Sequence, residues 1–251
     1  FPIILAPSPL NNVGSTKFVL ILSTLNSFTK VFLFLLITNK TVEAEASYAS
    51  NSKSACLVEP STLEVLYEKD AHTKRFPASM TKVMSIKIIL DHYSKGSFSM
   101  DDMVTTSEYA SHMGGSQIFL AVNEQMKVAD LLKSVIIASA NDATVALGEQ
   151  IAGSEEGFVA MMNARAKELG MNNTNFINAT GLDAEGHLST AHDVAIMSKE
   201  LIKHDLIKKY STVWMDSLRD GESELVNTNK LVRFYEGTTG LKTGTTSGAG
   251  Y

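Results

Sequence analysis

The sequence predicts an α+β fold, in which an antiparallel sheet is packed by helices and a helical lobe is inserted between strands. Three observations predict it. Apolar and polar residues alternate over Leu63–Glu68, and short β signals return in the last 27 residues. Between these regions, apolar residues recur at helical spacing in successive blocks. The 251 residues are 44% hydrophobic and 20% charged, which is globular composition with room for one domain or two small ones. Collagen-like, coiled-coil and disordered classes are excluded on the same grounds.

Residues 1–46 read as a leader. Lys17 precedes an apolar run, a polar break ends in Lys30, and Val31–Ile37 is apolar again before Ala44-Glu45-Ala46. A membrane span wants about 20 continuous apolar residues, and the break at Asn26–Lys30 denies it. A basic residue, a short apolar core and an A-x-A site fit a secretory signal peptide, with the mature chain beginning near Ser47 outside the membrane.

Residues 47–251 then form the second unit. Residues 55–58 and 63–67 flank Pro60-Ser61-Thr62 and predict a hairpin. Residues 79–93 are apolar on almost every side, the mark of a buried helix, and Pro77 suits its opening. Val128, Leu131, Leu132, Val135 and Ile136 share one helical face, with Asp130, Lys133 and Ser134 opposite. That helix ends near Ala138, and the next opens at Asp142 or Thr144 and runs to Ala152. Ser154 starts a third, which Gly170 stops, and Ser189-Thr190 open a fourth that reaches about His204. Short β signals follow around Asn227–Asn229 and Gly237, and residues 241–246 read as a strand joining the N-terminal one in a single sheet.

Charge and cysteine content narrow the partners. Twenty-two basic against 27 acidic residues give a net charge of −5, without the basic surplus that nucleic-acid binding needs. One cysteine, Cys56, excludes a disulfide framework and a cysteine-rich zinc site, and its apolar surroundings make it a core residue. The six histidines form no H-E-x-x-H pair, so no metal and no cofactor is expected.

Ser79-Met80-Thr81-Lys82 carries the chemistry. Three residues along a helix is about 300° of rotation, so Ser79 and Lys82 share a face. A serine hydroxyl becomes a nucleophile when a neighbour takes its proton, and a lysine made neutral by burial and a nearby cation can do so. The S-x-x-K spelling occurs three times in the chain and is weak alone. Its company is specific. Ser139-Ala140-Asn141 is the only S-x-N and lies between two helices, and Lys242-Thr243-Gly244 is the only K-T-G. The ordered trio S-x-x-K, S-x-N and K-T-G accompanies penicillin-binding proteins and class A β-lactamases.

The chain thereby resembles the serine-type D-alanyl-D-alanine carboxypeptidases, low-molecular-mass penicillin-binding proteins of the β-lactamase/transpeptidase-like group. The likeness covers roughly residues 52–251 and extends to Phe76–Lys82, Glu168–Met171, Thr180-Gly-Leu-Asp183 and Leu241–Gly244. The resemblance implies that Ser79 forms an acyl-enzyme with the penultimate D-alanine of a peptidoglycan pentapeptide, with Lys82 as proton acceptor. It further implies that Ser139 relays the proton to the leaving D-alanine and that Asn141 bonds the substrate amide. Lys242 and Thr243 would bind the terminal carboxylate, and the N–H groups of Ser79 and Thr245 would hold the oxyanion. β-Lactams would trap Ser79 as inhibitors. The family's sheet continues past K-T-G, so C-terminal strands are expected to be missing here and the chain reads as a fragment, with any membrane association residing in absent parts. Two rival readings carry the same trio: a class A-like β-lactamase, for which Glu168 would be the water-activating residue, and a penicillin sensor or peptidoglycan-binding module that acylates without turnover.

Overall fold

The computed structural model describes residues 18–22 by their backbone and residues 49 and 51–250 with side chains. Strand β1 (Phe18–Leu22) runs parallel to β2 (Ser54–Val58), which pairs antiparallel with β3 (Val65–Lys69). The hairpin expected from the alternation is thus present. Its turn closes on the Glu59 carboxylate, which accepts from the N–H and hydroxyl groups of Ser61 and Thr62. The remainder of the leader assignment, residues 1–46, lies outside the described residues. Cys56 is buried in β2. Burial, then the charge of Glu68, pushes its thiol up to about 11, so it stays an unreactive core residue.

A single 3-10 turn (Ala78–Thr81) follows Pro77 and leads into α1 (Lys82–Ser94). The sequence predicts one helix over 79–93, and the structure divides it into a first 3-10 turn, against which the loop at Gly181 lies, and the α-helix proper. Lys82 through Leu90 are all buried, as a helix apolar all round requires. Strand β4 (Met103–Thr105), the short helix α2 (Glu108–Ser111) and strand β5 (Gln125–Lys127) precede α3 (Val128–Ile137), and β4 pairs with β5. Ser134 does not face solvent with Asp130 and Lys133 as the periodicity predicts. It is buried, and its hydroxyl donates to the Asp130 carbonyl at 2.7 Å, which removes the cost of hiding it.

Helix α4 (Asn141–Ala152) and α5 (Glu155–Glu168) complete the helical lobe. Ser154 caps α5 by accepting from Gly157 N–H. Helix α6 (Ala191–Leu201), capped by Thr190, packs on α1 and β2. It stops at Leu201, and a separate α7 (Asp205–Ser211) follows. Strands β6 (Met215–Leu218) and β7 (Ser223–Val226) form a second hairpin, then comes the short α8 (Leu231–Phe234). Among the described residues the late strands do not join the N-terminal sheet, contrary to the single sheet expected. Residues 241–246, expected as a strand, have no ladder partner among the described residues beyond an isolated Thr246–Gly250 bridge. They lie instead against the turn that carries Ser79. Among the described residues no helix is long and apolar enough to cross a membrane.

Candidate active site

The 3-10 turn and the start of α1 set the first pair. Ser79 is half-buried, whereas Lys82 is fully buried, and Lys82 Nζ lies 3.0 Å from Ser79 Oγ. The amine also donates to the Thr180 carbonyl at 2.8 Å. Both partners are neutral oxygens. Burial, then the charge of Lys242, holds the amine well below the usual lysine range, with Asp142 pulling the other way. A free amine in this place can accept the Ser79 proton while its own N–H still meets Thr180.

The C-terminal segment closes over this pair. A side chain at Gly244 would put its Cβ 2.8 Å from Ser79 N and 3.0 Å from Met80 N, so only glycine permits the approach. Lys242 is buried, its Nζ donates to the Thr243 carbonyl at 2.9 Å, and burial pushes it down to about 7. Thr243 Oγ1 donates to Thr228 Oγ1 at 2.8 Å, and Thr245 is exposed beyond it. The charge of Lys242 thus disfavours that of Lys82, while burial alone lowers Lys242.

Between α3 and α4, Ser139 takes a left-handed φ of 62°, which turns the chain sharply between the helices. Its hydroxyl is buried and has no hydrogen-bond partner among the described residues, nor does Asn141 Oδ1. Buried polar atoms are rarely left so, and two at one loop leave donor and acceptor capacity for a ligand. The Asn141 amide is nonetheless oriented, since Nδ2 donates to the Gly114 carbonyl. The neighbouring Asp142 carboxylate accepts from Ile118 N and Leu120 N and anchors the loop opposite.

A loop that the sequence flagged only as a family likeness holds these parts together. A Cβ on Gly181 would sit 1.9 Å from the Ala78 carbonyl oxygen, so the loop lies directly on the 3-10 turn. Thr180 receives Lys82 on one side. On the other, Asp183 accepts from Thr246 Oγ1 at 2.6 Å and Gly248 N at 2.9 Å, clipping down the K-T-G segment. The signal was present in Thr180-Gly-Leu-Asp183, but nothing local assigns those residues a partner 98 positions away. Ser79, Lys82 and Gly244 thus converge directly, Lys242 acts on Lys82 through its charge, and Asn141 joins through Gly115, which lies against both its amide and Leu182. Glu168 ends α5 as the periodicity predicts and pairs with Arg165 at 2.7 Å, its side chain 63% exposed. A hollow of about 680 Å³ lined by Tyr93, Phe98 and Asp102 lies at the opposite end of α1, away from the serine–lysine pair.

On a mixed helix and antiparallel-sheet scaffold, this geometry places the chain among proteins built around a serine–lysine pair under a K-T-G segment. The chain belongs to peptidase family S11, the D-alanyl-D-alanine carboxypeptidases, whose sequence pattern matches residues 39–251. It is 51% identical over 206 residues to D-alanyl-D-alanine carboxypeptidase DacF of Bacillus subtilis, covering 81% of this chain and 53% of that protein. The chain thus spans about half the length of that relative. Penicillin-binding protein 5 of Haemophilus influenzae superposes with a TM-score of 0.73 at 34% identity, over 79% of this chain and 59% of that one. Penicillin-binding protein D2 of Listeria monocytogenes, solved in its ampicillin-bound form, superposes with a TM-score of 0.70 at 30% identity, over 79% and 81% of the two chains.

Proposed function

We propose that this protein is a serine D-alanyl-D-alanine carboxypeptidase that removes the terminal D-alanine from peptidoglycan stem peptides through an acyl-enzyme. One observation carries the reading: Ser79 Oγ stands 3.0 Å from a buried amine whose hydrogen-bond partners are neutral oxygens and whose charge a second buried lysine, Lys242, disfavours. Ser79 Oγ attacks the carbonyl carbon between the two D-alanines, and its proton passes to Lys82 Nζ. The N–H groups of Ser79 and Thr245 receive the oxyanion, close to where Gly244 meets Ser79. The C–N bond then breaks as Lys82 passes that proton through Ser139 to the departing amino group, which leaves the amine free again. Water attacks the ester carbonyl and gives its proton to Lys82, which returns it to Ser79 Oγ as the ester C–O bond breaks. Asn141 accepts from the substrate amide at its unpaired Oδ1, and Lys242 with Thr243 meets the terminal carboxylate.

The family membership and the ampicillin-bound Listeria relative support β-lactams as inhibitors that acylate Ser79. We place the enzyme on the outer face of the cell membrane, where peptidoglycan lies, with residues 1–46 as its leader and residues 47–251 as catalytic domain. Glu168, exposed and paired with Arg165, is poorly suited to activate a deacylating water, which disfavours the β-lactamase reading. The test is made on the full-length protein. Mass spectrometry after β-lactam treatment is expected to find the adduct on Ser79, and a pentapeptide is expected to release D-alanine. An adduct on another residue overturns the mechanism, and acylation without D-alanine release turns the enzyme into a sensor.

A further inference from the structure

His187 has no part in the chemistry above, yet it is almost wholly buried at the junction of the two pieces that make the serine–lysine pair. The backbone N–H groups of Ile177 and Asn178 point at its Nδ1, at 3.0 and 3.4 Å. A backbone amide only donates, so Nδ1 keeps its lone pair and the ring proton sits on Nε2. Nε2 then donates to Thr81 Oγ1 at 2.8 Å, and Thr81 separates Met80 from Lys82 on the turn itself. Phe176 meets the ring edge at 5.9 Å and closes it off.

The same loop fixes the amine. Asn178 Oδ1 accepts from Thr180 N at 3.2 Å and Gly181 N at 2.7 Å, which sets the bend whose Thr180 carbonyl receives Lys82. The ring therefore hydrogen-bonds both the turn bearing Ser79 and the start of the bend holding Lys82. We propose that His187, as the neutral Nε2–H tautomer, is a positioning residue for acylation: it locks loop 177–183 to the 3-10 turn so that Lys82 and Ser79 keep their spacing. A shift of about 1 Å in such a pair costs a reaction on the order of 100-fold, so a lock of this kind has a measurable effect. The inference deepens the proposed function and rests on it.

The experiment uses the full-length protein and two variants. His187→Gln can accept at Oε1 and donate at Nε2, whereas His187→Phe fills the space without polar atoms. Stopped-flow measurement with a β-lactam separates reversible binding from the acylation step. His187→Phe is expected to slow acylation about 30-fold with binding changed less than about 3-fold, and His187→Gln to restore the rate to within about 3-fold of the parent. A folded Phe variant that acylates like the parent, or a Gln variant as slow as Phe, overturns the proposal. Should the Phe variant fail to fold, ¹⁵N NMR of the parent decides: an Nε2-protonated ring at neutral pH supports the lock, and an Nδ1-protonated or charged ring contradicts it. A parent protein that no β-lactam acylates sinks the proposed function instead, which keeps the two failures apart.

Discussion

On α1, Lys82 and Lys87 are both buried, and they are partnered in opposite ways. The Lys87 side chain is 3% exposed and reaches both oxygens of the Asp91 carboxylate one turn on, at 2.6 and 2.5 Å. Asp91 also meets His204 at 3.0 Å and Arg165 at 3.9 Å. Burial works against the Asp91 charge, yet the bond and charge of Lys87, then His204, hold its carboxyl below the usual range. Lys82 has two neutral oxygens and the field of Lys242. Burial of an ammonium is costly, and a protein offsets the cost with a carboxylate or lets the proton go. The first solution makes a structural tie. The second makes a base.

Exchanging each lysine for methionine separates the two roles most sharply. Lys82→Met is expected to slow acylation by about 1000-fold or more, the range of a lost general base, with no fall in melting temperature. Lys87→Met leaves Asp91 with only His204 and the more distant Arg165, and is expected to cost about 2 kcal/mol in denaturant unfolding, with acylation per folded molecule unchanged within a few-fold. If Lys87→Met abolished acylation and Lys82→Met only unfolded the protein, the comparison would be inverted. Gly244→Ala comes next. Its Cβ would press on Ser79 N at 2.8 Å, and acylation should fall about 100-fold while β-lactam binding weakens less.

Lys242→Met sharpens the electrostatic half of the account. Lys82 works as the neutral amine, so the rate falls as pH drops through its pKa. Without the neighbouring cation that pKa rises, and the acid limb of the acylation profile should move to higher pH. The smallest effect concerns stability and leaves neutral-pH activity untouched. His187 is pushed by burial to about 4 from 6.5, so at intermediate pH the unfolded chain takes up a proton that the folded one refuses. Urea unfolding should show no contribution from His187 above pH 6.5 and a loss of about 1–3 kcal/mol as pH falls toward 4.

Much of this was legible in the sequence, for identifiable reasons. The turn spacing of Ser79 and Lys82 follows from helical geometry alone, and the caps at Ser154 and Thr190 act through the very next turn. Local periodicity could also find α1, α3 and α5. What it could not find depends on partners far away in the chain. Ser134 is buried because its hydroxyl returns to Asp130, which apolar spacing does not register. Residues 241–246 have strand-like composition but lie on the 3-10 turn rather than in a ladder. The roles of Thr180, Gly181, Asp183 and His187 arise only when loop 177–183 meets residues 78–82 and 246–248. Positions that supply a carbonyl, a missing Cβ or an acceptor nitrogen carry no motif of their own.

The whole account turns on the charge of one amine, and ¹³C NMR of the Lys82 Cε reads it directly. The resonance is assigned by its loss in Lys82→Met, and the full-length protein is titrated from about pH 5 to about pH 9. The account predicts a neutral amine at pH near 7, gaining its proton only on acidification, and gaining it at higher pH once Lys242 is removed. A Lys82 that stays an ammonium throughout that range contradicts it.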